Sequence, residues 1–219
     1  MARRITNGGI QWQLPITRPN GHSVIQYGDT LYAAHSDAGP TEIVEAIRAR
    51  DGHVQWRSTR QGYDLFGVLG IHGTQLVGWY RSGPTGKGRA VALDIRTGRT
   101  LWATPELTDA MGYLATNDIL ICQSTSTDGQ INTYRLTDLD SVTGVQRWSD
   151  TLSIKQGDPP AGYNCVGTTT IALMLPESAQ SGKIYAFDIQ SGVQLWQAPA
   201  NGNTYLSGYD QDRVYVSTQ

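Results

Sequence analysis

The stretch AVALDIRTGRTLW at residues 90–102 decides the fold, because its pattern returns along the whole chain. A glycine lies four residues before a tryptophan. This spacing occurs five times, at Gly8 and Trp12, Gly52 and Trp56, Gly98 and Trp102, Gly144 and Trp148, and Gly192 and Trp196. The tryptophans are 44, 46, 46 and 48 residues apart. A period in the forties with several short strands per unit is typical of propeller blades.

The segments between the tryptophans have the composition of strands. Apolar runs such as SVIQYGD, QLVGWYR and YAFDIQSG are short, rich in Val, Ile, Leu and Tyr, and bounded by Gly, Asp and Ser. The repeated glycine suits a turn at positive φ between the third and fourth strands. No helical periodicity of useful length is present. The sequence therefore predicts an all-β propeller of four-stranded blades.

Two further residue types recur at fixed places in the repeat. An aspartate, Asp94, Asp140 or Asp188, lies four residues before the turn glycine, and Arg4 or Arg48 takes its place elsewhere. We expect these side chains to form hydrogen bonds within the turn rather than to catalyse a reaction. The tryptophans are interpreted as anchors on the outer strands that pack against the neighbouring blade.

The chain starts and ends inside a repeat. Counting from one tryptophan to the next predicts blade 1 at 13–56, blade 2 at 57–102, blade 3 at 103–148, blade 4 at 149–196, and blade 5 at 197–219 together with 1–12. Pairing of residues 2–6 with 213–218 would close a five-bladed ring and remove the open sheet edge. A fragment of a longer array and a dimer joined through its edges are the alternatives.

Composition excludes several classes of function. The formal charge is −2 and the pI is about 6.0, so nucleic acid is not an expected partner. No apolar run approaches the roughly 18–20 residues of a membrane span, and the N-terminus lacks a secretory signal. A cytoplasmic location is the default, and an extracytoplasmic one applies if the chain is cut from a larger parent.

Cys122 and Cys165 are interpreted as buried free thiols, with a single bridge between neighbouring strands as the alternative.

Two other features are interpreted as structural. His35, His53 and His72 show no metal-ligand spacing and are expected on the surface or in loops. The segment SGPTGKGR at 82–89 lacks the Gly-Lys-Ser/Thr ending of a phosphate loop, and we predict a hairpin tip there. No metal or cofactor is expected.

The best candidate site lies where the chain enters the innermost strand of each blade. A ring recurs at one position, in His22, Tyr63, Tyr113, Tyr163 and Tyr205, with Asp64, Asp109 and Asn164 nearby. Rings related by the propeller axis would meet at one mouth of the channel. One interpretation is an aromatic pocket for a sugar, an amine or a peptide side chain. The other is a plug in which each hydroxyl is satisfied locally.

The pattern Ala-x-Asp-x-x-Thr-Gly-x-x-x-Trp resembles the quinoprotein-like (PQQ-like) repeat. The match is close over 92–102 and 186–196, and weaker over 46–56, 138–148 and 2–12. The resemblance implies a propeller whose tryptophan strands dock from blade to blade. The catalytic quinone dehydrogenases of this class are eight-bladed, carry calcium and often have a pair of adjacent cysteines. This chain has five repeats and no adjacent cysteines. Non-catalytic bacterial scaffolds, such as the lipoprotein of the outer-membrane assembly machine, are the more similar group.

These observations predict a non-enzymatic binding or scaffold module that recognises a protein, a peptide or a small molecule such as a carbohydrate. A monomer is expected if the ring closes. One alternative is an enzyme that acts on a carbohydrate-like substrate in the axial pocket, which needs two acidic groups about 5–10 Å apart. The other alternative is a purely structural, truncated or engineered propeller without a ligand.

Overall fold

The structure is a computed structural model of the 219-residue chain. It describes residues 2–3, 9–13, 24–36, 41–63, 65–82, 85–115, 118–127, 131–155, 163–167, 171–176, 182–200, 204–210 and 213–218. These residues form strands, turns and loops and no helix, which confirms the predicted all-β class. None of them lies in a helix able to cross a membrane. The chain divides into two compact units, Met1–Glu106 and Leu107–Gln219.

The first unit holds a hairpin and two larger antiparallel sheets. The N-terminal hairpin pairs β1 (Ala2–Arg3) with β2 (Ile10–Trp12). Sheet 1 has the order β3-β4-β5-β6, and sheet 2 the order β7-β8-β9-β10. The strands of the two sheets are β3 (Val24–Tyr27), β4 (Thr30–Ser36), β5 (Thr41–Arg48), β6 (Val54–Gln61), β7 (Leu65–His72), β8 (Gln75–Arg81), β9 (Lys87–Asp94) and β10 (Thr100–Ala103).

The second unit repeats this plan. After the short β11 (Leu107–Thr108), sheet 3 has the order β12-β13-β14-β15 and sheet 4 the order β16-β17-β18-β19. The C-terminal hairpin pairs β20 with β21. The strands are β12 (Ala110–Ala115), β13 (Asp118–Thr127), β14 (Ile131–Asp140), β15 (Gln146–Lys155), β16 (Tyr163–Gly167), β17 (Ile171–Pro176), β18 (Gly182–Asp188), β19 (Gln194–Ala200), β20 (Thr204–Tyr209) and β21 (Val214–Thr218).

One register recurs in all five hairpins that contain a repeated tryptophan. The residue ten positions earlier pairs with the tryptophan, giving Ala2 with Trp12, Ala46 with Trp56, Ala92 with Trp102, Asp138 with Trp148 and Ala186 with Trp196. The register shifts beside this pair each time, as expected for a β-bulge. Alanine is the register partner of the tryptophan in four hairpins, and Asp138 takes that place in the hairpin of sheet 3.

Apolar side chains between consecutive sheets form the core of each unit. In the first unit, one cluster joins Tyr32, Val44 and Trp56 of sheet 1 to Phe66 and Tyr80 of sheet 2. The hydrophobic effect stabilises this contact, because each fully buried side chain of this size contributes roughly 1.5–3 kcal/mol.

In the second unit, Cys122, Tyr134 and Leu136 of sheet 3 pack with Tyr185 and Phe187 of sheet 4. Cys122 is a buried thiol, as predicted, and burial raises its pKa to about 12. The side chain of Cys165 lies outside the described residues.

The glycine-rich segment near residue 85 is a hairpin connection, as predicted. Strand β8 pairs antiparallel with β9 on either side of it, and the N–H of Ser82 donates to the carbonyl of Lys87 at 2.8 Å. It therefore joins two strands and opens no helix. Residues 83 and 84 lie outside the described part of the chain.

Candidate functional site

The turn between the third and fourth strands of sheet 2 shows what the repeated aspartate does. One carboxyl oxygen of Asp94 accepts hydrogen bonds from the N–H groups of Arg96 and Thr97 and from the Thr97 hydroxyl, at 2.9–3.0 Å. The N–H of Gly98 donates to the carbonyl of Asp94 at 2.8 Å. The three hydrogen bonds to the carboxyl oxygen, that of the Thr97 hydroxyl first among them, lower the pKa of Asp94. The carboxylate is thus a structural acceptor of its own turn.

Sheets 3 and 4 use the same arrangement. Asp140 accepts from Val142 and Thr143, and Asp188 accepts from Gln190 and Ser191, over similar distances. The prediction that these aspartates bond within the turn is therefore confirmed at all three positions. Burial alone would raise the pKa of Asp140, but bonds from Arg147, Thr143 and Val142 lower it to about 2.

Sheet 1 reaches the same turn by a different route. Its backbone bonds match, since Gly52 donates to the carbonyl of Arg48, and Arg48 donates to the carbonyl of His53. The charges are exchanged, however: the guanidinium of Arg48 donates to Asp51 at 3.0 Å, and Asp51 also accepts from the N–H of His53. An ion pair within the turn thus replaces the Asp–Thr pair of the other repeats.

Each of three tryptophans docks on the turn of the following sheet in its own unit. The indole Nε1 of Trp12 donates to Ala49, that of Trp56 to Ile95, and that of Trp148 to Ile189, all at 2.7–2.8 Å. The rings cover the turn glycines Gly52, Gly98 and Gly192 so closely that an added β-carbon would come within 2.5–2.6 Å.

The remaining anchor residues differ. The indole of Trp102 donates to Gln75 of its own sheet at 3.3 Å, and Trp196 is 43% exposed. Gly144 has a φ of 69°, close to those of the other turn glycines. Gly8 lies outside the described residues. The repeat therefore keeps its turn geometry in sheets 1–4, whereas the surroundings of its tryptophan vary.

Among the five predicted mouth rings, Tyr63 is the one whose side chain the structure describes. Its ring is only 6% exposed and lies 5.3 Å from the ring of Tyr80, with the Arg89 guanidinium 5.4 Å from its centroid. Its hydroxyl donates to the carboxylate of Glu106, which also lies 3.7 Å from the ammonium of Lys87. At this position the ring is therefore covered, and the hydroxyl has a hydrogen-bond partner.

The electrostatics of this cluster follow from these contacts. Burial, and then the bond to Glu106, raises the pKa of Tyr63. The same hydrogen bond lowers the pKa of Glu106, with smaller contributions from the charges of Lys87 and Arg89. The cluster is therefore an anionic carboxylate near two cations, and its Tyr63 partner packs at a tilt against the ring of Tyr80.

The other predicted mouth residues are placed by strand position alone or not at all. Tyr113 lies within β12, Tyr163 and Asn164 begin β16, and Tyr205 lies in β20, while their side chains are outside the described part. Within the second unit, β12 neighbours β16 and β16 neighbours β20. Asp109 is exposed in a turn with a φ of 51°. His22 and Asp64 lie outside the described residues.

The expectation that His35 lies at the surface is wrong. It belongs to β4 and is 6% exposed, with its Nε2 3.4 Å from the carboxylate of Glu45. Glu45 is itself buried and accepts from Arg57 at 2.7 Å. Strand β4 is covered on both faces over most of its length. Its apolar and polar residues therefore do not alternate as in a half-buried strand, and the sequence did not indicate that His35 is buried. His72 lies in β7 rather than in a loop, and His53 lies between two strands.

No cluster of three or more His, Cys, Asp or Glu side chains in the described part of the chain has an arrangement that suits a metal ion. The acidic residues Asp118, Asp138 and Asp140 do lie near one another in sheet 3, around Arg147. Sequence reasoning missed this group. Its signal was present, because Asp138 stands where the other repeats have alanine.

Comparisons with known proteins agree with this geometry at the level of the fold. The β-propeller domain of the Trilobed protease from Pyrococcus furiosus, described with an open velcro topology, matches with a TM-score of 0.60 and 9% identity. The match covers 90% of this chain and 63% of that one. Pyrococcus horikoshii acylaminoacyl peptidase matches with a TM-score of 0.57 and 9% identity, over 89% and 34%. A europium-containing methanol dehydrogenase matches with a TM-score of 0.48 and 15% identity, over 86% and 48%.

At 9% identity, the first two matches establish the β-propeller fold alone. The chain spans less than two thirds of each of the three structures. No curated protein matches the sequence significantly. A family model does match, in two overlapping passes over residues 1–118 and 40–218. Its description is outer membrane protein assembly factor BamB. With the repeated Ala–Trp register and the Asp–Gly turn, this match shows that the chain belongs to the PQQ-like repeat family of the outer membrane protein assembly factor BamB.

Proposed function

We propose that this chain is a non-enzymatic β-propeller scaffold that binds a protein or peptide segment at the mouth, the end where the chain enters the innermost strands. The observation that carries the proposal is the role of the repeated carboxylates. Asp94, Asp140 and Asp188 each accept several bonds from their own turn. Carboxylates held in this way stabilise the repeat and are poor general acids, because their pKa is lowered. Membership in a family described as an assembly factor supports a scaffold.

The cluster around Tyr63 supports a polar recognition surface in the first unit. The side chains of Lys87 and Glu106 are 50% and 43% exposed, so a partner can reach both charges. Glu106 is held in place by the buried Tyr63 beneath it. A carboxylate and an ammonium at this spacing can bind the N–H and C=O groups of an extended peptide. In this proposal His22, Asp64, Tyr113, Tyr163, Asn164 and Tyr205 complete the mouth.

A thermal-shift screen with peptide, glycan and metabolite libraries tests this function, since a ligand of the native state raises the melting temperature. We expect peptide hits for the wild type and a lost response in the double variant Lys87→Ala/Glu106→Gln and in Tyr113→Ala/Tyr163→Ala. Lys183→Ala, which removes an exposed lysine of β18, serves as the control that keeps the response. Stabilisation by glycans or metabolites alone, or turnover of any of these compounds, would overturn the assignment.

The proposal includes a ring of five blades closed by the two terminal hairpins. Its support is the repeated register between second and third strands. The residue opposite the repeated Ala or Asp is Tyr32 in sheet 1, Val77 in sheet 2, Leu120 in sheet 3 and Leu173 in sheet 4. Aligning the C-terminal hairpin with sheet 4 puts Tyr215 in this position. Closure in the same register would therefore pair Ala2 with Tyr215.

Engineered disulfides test this closure. In a Cys165→Ser background, Ala2→Cys/Tyr215→Cys is expected to form an intramolecular bridge in a monomer, because directly opposite strand residues meet the distance that a disulfide needs. Ala2→Cys/Val216→Cys is the matched control, since the neighbouring residue points to the other face of the strand. Bridges found only between two chains would contradict the closed monomer and favour a dimer joined through its edges.

A further inference from the structure

Asp138 breaks the repeat at its most enclosed position. Ala46, Ala92 and Ala186 face the tryptophan of their hairpins and are completely buried. Asp138 occupies the same place opposite Trp148 and is also 0% exposed. A carboxylate therefore stands where three other sheets have a methyl group. An ionised carboxylate is costly at such a position unless a cation or several hydrogen bonds compensate it.

The position lies at the contact between sheets 3 and 4. Side chains alternate along a strand, so Asp138 shares a face of β14 with Tyr134 and Leu136. Those two residues pack with Tyr185 and Phe187 of sheet 4. Trp148, the cross-strand partner of Asp138, donates to the carbonyl of Ile189 and covers Gly192. The carboxyl group is thus next to the indole that joins the two sheets.

The neighbouring cation is already engaged. One terminal nitrogen of Arg147 donates to Asp118 and the other to Asp140, the latter at 2.5 Å. Neither carboxyl oxygen of Asp138 has a well-formed hydrogen bond, and the backbone N–H of Leu139 stabilises the charged form only weakly. Three carboxylates surround one guanidinium, and the most buried of them is the one without a direct bond to it.

These contacts favour a neutral Asp138. Burial, and after it the carboxylate of Asp118, raises the pKa of Asp138 from 3.8 to about 7, and Arg147 offsets only part of this effect. Asp140 acts in the same direction as Asp118. From sheet 4, Tyr185 faces this side, and burial raises its pKa above 10.0, so it stays uncharged over the same pH range.

We propose that Asp138 is a proton-binding site that makes the contact between sheets 3 and 4 sensitive to pH. When it is protonated, the carboxyl group is neutral and the indole of Trp148 stays docked on the Gly192 turn. When it is ionised, an anion with no cation of its own lies beside that indole, and the contact loosens. A change from mildly acidic to alkaline conditions would then weaken the contact between sheets 3 and 4 and leave the turns unchanged.

The direction of the pH effect follows from the two states of the chain. The unfolded chain releases this proton near pH 3.8, whereas the folded protein holds it until about pH 7. The stabilisation that protonated Asp138 contributes is therefore fully present below pH 3.8. It falls as the pH rises and is completely lost above about pH 7. Each pH unit between these two values multiplies the unfolding equilibrium constant by about ten.

Urea unfolding of the full chain from pH 5 to 8.5 tests the proposal. The ratio of the wild-type unfolding constant to that of Asp138→Ala is expected to rise about tenfold per pH unit up to pH 7 and then to level off. Alanine is the residue of the other repeats at this position. The same ratio for Asp150→Ala, which removes an exposed aspartate of β15, is the matched control. A flat ratio for Asp138→Ala would overturn the proton site.

Two measurements on the folded protein complete the test and keep it decisive if the alanine variant does not fold. The Asp138 carboxyl ¹³C signal, assigned with Asp138→Asn, should titrate near pH 7, and a midpoint below pH 5 would contradict the proposal. Amide exchange of β14, β15 and β18, corrected for its intrinsic pH dependence, should increase from pH 6 to 8 in the wild type and not in Asp138→Asn. Equal increases in both proteins would exclude the coupling to the sheet contact.

Discussion

The indole of Trp56 lies directly on Gly98, so that a β-carbon on this glycine would come within 2.5 Å of the ring. Trp56 ends the repeat of sheet 1, and Gly98 belongs to the turn of sheet 2. The glycine is needed twice, since its φ of 69° also disfavours any residue with a side chain. The glycine and the tryptophan that identify the repeat therefore meet in one contact, in which the tryptophan of one sheet packs on the turn glycine of the next.

This contact predicts an unequal response of two glycines to the same substitution. Gly98→Ala should lower the free energy of unfolding by about 1–2 kcal/mol through its backbone conformation. Displacing the Trp56 ring should lower it by about 1–3 kcal/mol more. Gly73→Ala should lose only the backbone part, because Gly73 has a φ of 56° and open space around it. Urea unfolding measures both. Equal losses would mean that the ring contact contributes little.

The turn carboxylates predict how the protein responds to acid. The pKa values of Asp94, Asp140 and Asp188 are all lowered in the folded state, so their contribution is present above the unfolded value of 3.8 and is lost as the pH falls below it. The triple variant Asp94→Asn/Asp140→Asn/Asp188→Asn keeps an acceptor in each turn but cannot take up protons.

Circular dichroism between pH 6 and 2 checks this response. The triple variant is expected to be less stable than the wild type at pH 6 and to lose less of its stability between pH 4 and 2. An unchanged acid transition would show that other carboxylates control acid unfolding.

Cys122 is predicted to be chemically inert in the native protein. Its side chain is fully buried, and burial raises its pKa to about 12, so almost no thiolate forms at neutral pH. In a Cys165→Ser background, a thiol reagent at pH 8 should label no cysteine in the native state and one in urea. Rapid native labelling would mean that sheet 3 opens readily.

Tyr63 is predicted to act mainly through its ring. Tyr63→Ala should lose about 3 kcal/mol, because it leaves a cavity beside Tyr80 and removes the support of Arg89. Tyr63→Phe should stay close to the wild type in stability, since the ring remains. Carboxyl NMR should then show the pKa of Glu106 rising in Tyr63→Phe, because that hydroxyl is the main cause of its lowering. A Tyr63→Phe protein as unstable as Tyr63→Ala would contradict this division.

Part of the candidate site could be read from the residues alone. The hydrogen bonds of Asp94 with Thr97 were predictable because they join residues three apart in one turn. The partner of Tyr63 was not, because Glu106 is 43 residues away and meets it only when sheet 2 is assembled. His35 was misjudged for the same reason, since its burial depends on what covers both faces of β4.

The sequence by itself determined the all-β class, the period near 46 residues and the turn that holds each aspartate, because short-range sterics and local hydrogen bonds set these features. Tertiary structure alone decided that Trp12, Trp56 and Trp148 dock on the turn of the following sheet rather than on their own. It alone also decided that Asp138 is buried with its nearest guanidinium bound to other carboxylates. Burial and charge compensation depend on groups from distant strands, and the local sequence does not show which of these groups will contact a given residue.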